Sequence, residues 1–99
     1  MANLFKIREK IEVDYADIID IWYSLKLSGR YSYHWERKFK DGTIYRHDNI
    51  PHKKWQDVKT FPKHFHDTSS SNVTESYIND NIEVGIVEFL NFVRKRLND

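Results

Sequence analysis

The chain has 99 residues, a formal net charge of +1 and no cysteine, so one domain is expected and disulfides and thiolate metal sites are excluded. Fifteen residues are Phe, Tyr or Trp, enough large side chains to supply most of a thin core. The residues from Met1 to Lys10 lack the apolar run of a signal peptide, and no later stretch has bilayer-spanning apolar length. These features predict a cytoplasmic protein with no membrane partner.

Residues 4–13 read as a strand with Phe5, Ile7, Ile11 and Val13 on one face. Glu9 interrupts that face, which predicts a sheet edge. Residues 17–27 alternate more cleanly, with Ile19, Ile21, Tyr23, Leu25 and Leu27 opposed to Asp20, Trp22, Ser24 and Lys26, and β-branching favours strand over helix. Ser28-Gly29 is a turn, followed by a third strand from Tyr31 to Phe39 and a fourth over 43–49. Asp41-Gly42 between them has the composition of a two-residue hairpin turn. That loop would set Phe39 opposite Ile44, Arg37 opposite Arg46 and Trp35 opposite Asp48. Tyr31, Tyr33, Trp35, Arg46 and Asp48 would then share a face, leaving His34 and His47 on the other as surface residues.

Pro51 and Pro62 argue against regular structure from Pro51 to about Ser71, and Asp67–Asn72 reads as a mobile polar connection. A short strand is expected within 73–78. Ile82, Ile86, Phe89, Leu90, Val93 and Leu97 recur at helical spacing, with Asp80 as the expected cap and Arg94-Lys95-Arg96 favouring the C-terminal end. The expected fold is α+β: an antiparallel β-meander of about four strands with a C-terminal helix packed on one face, as a single domain over residues 1–99.

Charge is uneven along the chain. Residues 37–66 carry eight basic against three acidic side chains, a net of +5, whereas 1–36 carry five against six and 67–99 three against six. The middle third also holds four of the five histidines. An anionic partner would be met there.

Two runs in that third stand out: Arg46-His47-Asp48-Asn49-Ile50-Pro51-His52 and Phe61-Pro62-Lys63-His64-Phe65-His66. With Tyr33-His34-Trp35 they resemble the TumE family of prokaryotic toxin–antitoxin toxins, over roughly residues 31–97. Arg46, Asp48, Asn49, Pro51, His52, Pro62, His64 and His66 fit the family pattern. Lys63 and Lys53 depart from it, standing where the family has histidine or often doubles it. Both departures remove potential ligands and keep positive charge. The resemblance implies a small toxin with a cognate antitoxin and, as expected chemistry, a ribonuclease.

The residues themselves support a metal-free scheme. RNA cleavage needs a base, an acid and a cation for the phosphate. Imidazoles, with an ordinary pKa near 6.5, suit the first two, and a guanidinium fork suits the third. His52, His64 and His66 are the candidate acid and base, with Asp48 orienting an imidazole. Arg46, Asn49 and Lys63 are candidate substrate contacts, and Tyr33 and Trp35 candidate base-stacking platforms. No cofactor is expected. One alternative is a divalent metal held by His64 and His66, with His52 or Asp48 completing the set. Another is a module that binds RNA or a protein without chemistry.

Overall fold

The computed structural model describes the backbone of residues 6–14 and residues 17–26 and 29–98 in full. Six strands follow one another in chain order in one antiparallel sheet: β1 (Lys6–Asp14), β2 (Asp17–Ser24), β3 (Tyr31–Arg37), β4 (Thr43–Asp48), β5 (His64–Thr68) and β6 (Val73–Glu75). Among the described residues one α-helix, α1 (Ile82–Leu97), follows the last strand. The fold is the α+β meander with a C-terminal helix that the pattern predicts, and two further strands extend the sheet beyond β4. The face expected for residues 4–13 concerns side chains outside those described. Among the described residues no helix is long and apolar enough to cross a membrane.

The core lies between α1 and one sheet face. Alternation in β2 and β3 brings Ile19 opposite Trp35 and Ile21 opposite Tyr33, and all four are buried. From the helix, Phe89 tilts against Tyr33 at 5.8 Å between ring centroids, and Phe92 meets Trp35 and Tyr45 edge-on at 6.3 and 5.5 Å. Burying a side chain such as Phe89 contributes about 1.5–3 kcal/mol. The helix begins one residue later than predicted: Asn81 is the cap, its side chain accepting from the Val84 N–H at 3.1 Å. Asp80 instead accepts from the Tyr31 hydroxyl at 3.1 Å.

The β3–β4 hairpin corrects the expected register. A two-residue turn of the expected type needs positive φ at both positions, and only Gly42, at φ 79°, has it. The loop therefore takes residues 38–42, and the N–H groups of Lys40, Asp41 and Gly42 all point to the Arg37 carbonyl at 3.0–3.1 Å. Arg37 pairs with Thr43, His34 with Arg46, and Ser32 with Asp48. The slip of three residues is odd, so it turns β4 over. Arg46 and Asp48 leave the aromatic face, and Tyr45 and His47 enter it. Phe39, expected within that face, is exposed in the loop.

Candidate functional site

The overturned register gathers polar side chains on the sheet face away from the helix. Across that face the pairs run Asp20–His34–Arg46–His66 and Trp22–Ser32–Asp48–His64, one residue from each of β2, β3, β4 and β5. Strand β5 forms where no regular structure was predicted. Its two histidines are spaced by one residue, so both imidazoles fall on the face of Arg46 and Asp48. Phe65, between them, turns to the core side and stacks on His47 at 4.2 Å.

Four groups converge at the centre. His64 Nε2 lies 3.2 Å from Asp48 Oδ1, and His66 Nε2 lies 3.9 Å from Asp48 Oδ2. Arg46 reaches His66 Nε2 with Nη2 at 3.2 Å and Asp48 Oδ2 with Nε at 3.3 Å, the latter out of line for a hydrogen bond. Asp48 Oδ1 also accepts from the Ile50 N–H at 3.0 Å. Each imidazole is held from behind by a backbone carbonyl: His64 Nδ1 at 2.9 Å from Pro62 O, and His66 Nδ1 at 3.0 Å from Ser70 O. A carbonyl only accepts, so both Nδ1 atoms carry the proton. In the neutral rings both Nε2 lone pairs therefore point inward, at a carboxylate and a guanidinium.

Burial shapes the electrostatics. His64 and His66 are each 2% exposed and Asp48 is 6%. Burial, helped by the Arg46 charge, lowers the His66 pKa to about 4, so this ring is neutral at pH 7. Burial raises the Asp48 pKa above the ordinary carboxylate value, against the opposing pull of His64, the Ile50 N–H and Arg46. Burial also lowers the His34 pKa, opposed by its Glu36 partner.

Beside this group lies a cleft of about 400 Å³ lined by Asp20, Trp22, Ser32, His34, Arg46 and Ile50. Arg46 belongs to both the cleft and the buried group. Trp55, in a 3-10 turn at Lys53–Trp55, stands over the other side, its ring 6.4 Å from that of His64 and 6.0 Å from that of His66. Trp22, Ser32 and Trp55 were not among the sequence candidates. The alternation of β2 already set Trp22 apart from the core residues, but nothing in the local sequence indicates which strand lies next to which histidine.

Of the predicted site residues, Arg46, Asp48, His64 and His66 come together and the others do not. His52 lies outside the group: it is exposed and caps the 3-10 turn, its Nδ1 accepting from the Lys54 N–H at 3.2 Å. Tyr33 and Trp35 are fully buried under the helix and cannot stack on a base. Asn49 is tied to the fold, accepting from the Tyr31 N–H at 2.9 Å and donating to the Gly29 carbonyl. Lys63 donates to the Ile78 carbonyl and pairs with Asp80 at 3.3 Å, which occupies its charge. His47, expected at the surface, packs beneath the helix with Nδ1 2.7 Å from Ser76 Oγ. The residues from Ser69 to Asn72, expected to be a mobile connection, fold back to supply the carbonyl that fixes His66. They follow Thr68, which sits at φ 70°.

The molecule is thus a small α+β meander with one face given to an aromatic core and the other to a buried Asp-His-His group, joined by the half-buried Arg46 to an open cleft. Its sequence matches the toxin TumE family over residues 2–97, and the chain belongs to that family. Membership of a toxin family implies a cognate antitoxin as partner. No curated protein and no solved structure matched the chain.

Proposed function

We propose that this toxin acts on RNA in the cytoplasm, cleaving phosphodiesters at the polar face of the sheet. The observation that carries the reading is the position of Arg46, which links the buried Asp48–His64–His66 group to a cleft with room for part of a nucleotide. A guanidinium there can clamp phosphate oxygens, while Trp22 offers a ring surface for a base and Ser32 and His34 offer polar edges.

In such a cleavage the 2′-oxygen attacks phosphorus and gives its proton to a base. The bond to the 5′-oxygen breaks, and that oxygen takes a proton from an acid. The buried group acts as a unit, because His64 Nε2 lies 3.2 Å from Asp48 Oδ1, a distance over which a proton can pass. That contact supports the acid/base scheme read from the histidines. His52 is not needed in that scheme.

Incubating the purified protein with labelled RNA tests the reading. Arg46→Ala and His64→Ala are each expected to lower cleavage by about 10²–10³-fold, the cost of losing one preorganised transition-state contact. Toxicity on expression should fall in parallel. If both variants cleave and poison cells like the parent, the site is wrong. RNA binding without cleavage by the parent protein would make this a non-catalytic binding module.

A further inference from the structure

We propose that Asp48, His64 and His66 form a binding site for a first-row divalent cation of borderline softness, with zinc as the best-matched ion. This deepens the reading of the polar face as a nuclease centre and rests on it only for the use the ion is put to. One carboxylate oxygen and one nitrogen from each histidine lie within 4.8 Å of one another, and all three residues are buried. Two imidazoles and a carboxylate form a donor set suited to such ions, with coordination positions left open for water or a phosphate oxygen.

The strongest support lies behind the ligands. A histidine that binds a metal typically donates its other ring N–H to a carbonyl or carboxylate, which fixes the tautomer and aims the lone pair. Both histidines here do this, His64 to Pro62 O at 2.9 Å and His66 to Ser70 O at 3.0 Å. The Nε2 atom of the second imidazole also faces the carboxylate, 3.9 Å from Asp48 Oδ2. Arg46 bonds that second lone pair and lies 3.3 Å from Asp48 Oδ2, so a cation already stands at the edge of the donor set. On metal binding Arg46 is displaced toward the cleft, where a phosphate would meet it. The donor atoms lie within 4.8 Å of one another, against the roughly 3–3.5 Å between neighbouring ligands of a small divalent ion, so the three side chains close inward by modest torsion changes.

Titrating the full-length, chelator-stripped protein with Zn²⁺ by calorimetry tests the site, with Mg²⁺ as the hard-ion comparison. One equivalent of Zn²⁺ should bind, at least tenfold tighter than Mg²⁺. Asp48→Asn and His66→Ala should each weaken binding tenfold or more, whereas His52→Ala should leave it unchanged. Co²⁺ bound to the unaltered protein should give ligand-field absorption, and diamagnetic Zn²⁺ should move the Nε2 resonances of His64 and His66 more than those of Nδ1, a readout that needs no variant to fold. Absence of binding, or binding that follows His52 instead, overturns the inference. Full RNA cleavage by the chelator-stripped protein overturns the use of the ion in the reaction and leaves the ribonuclease reading standing. Tight metal binding without RNA cleavage supports the site and sinks that reading instead.

Discussion

Gly85 lies in the helix where an alanine would ordinarily add about 1 kcal/mol of helix propensity. Here a Cβ would stand 2.7 Å from the Asn79 carbonyl oxygen and 3.2 Å from the Tyr33 hydroxyl. The nearer contact is backbone of the segment leading into α1, so that segment or the helix must shift to relieve it. Gly85→Ala is therefore expected to destabilise the protein by about 1–3 kcal/mol despite its propensity, as overpacking does, and chemical denaturation measures it. A gain in stability would show that the helix docks less closely than the structure has it. The sequence marks Gly85 as a flaw in a helical stripe, and only the neighbour across the interface turns the flaw into a requirement.

At the scale of elements, the reversal of β4 decides both faces of the sheet. It places His47 in the core, where burial first, then the charges of Lys63 and His64, lower its pKa to about 4 from the ordinary 6.5. The folded state thus favours the neutral ring. The associated stability is fully present above pH 6.5 and is lost as the pH falls from 6.5 toward 4, by at most about 3 kcal/mol. Against the same protein carrying His47→Gln, the parent should show an extra drop in stability within that window, read from denaturation midpoints at matched pH. Parallel pH profiles for the two proteins would place His47 in water. Strands β2 and β3 and the helix were legible because their apolar residues alternate or recur with the right period. Strand β5 was not, since His64-Phe65-His66-Asp67-Thr68 has a single apolar residue and becomes a strand only by pairing with β4 and β6.

Across the whole molecule, the uneven charge of the sequence acquires a direction. Arg46 stands at the cleft, and the exposed Lys53 and Lys54 flank Trp55 above the buried histidines, with Lys54 Nζ 5.0 Å from the Trp55 ring centroid. Three cations meeting a single-stranded RNA predict a log–log slope of affinity against salt of about −2. Fluorescence anisotropy with a 2′-O-methyl RNA that resists cleavage measures it, and Lys53→Ala with Lys54→Ala should flatten the slope without changing the Asp48–His64–His66 group. A salt-independent affinity would remove these lysines from the interface. By itself the sequence determined the fold class and the family, and it singled out Arg46, Asp48, His64 and His66 as candidates, because periodicity, composition and motif residues are local properties of the chain. It could not determine which of five histidines meet, or that Asp48 rather than His52 joins His64 and His66. Those facts depend on the parity of one hairpin and on a strand formed only by its neighbours, and pairing across strands is settled by the tertiary structure alone.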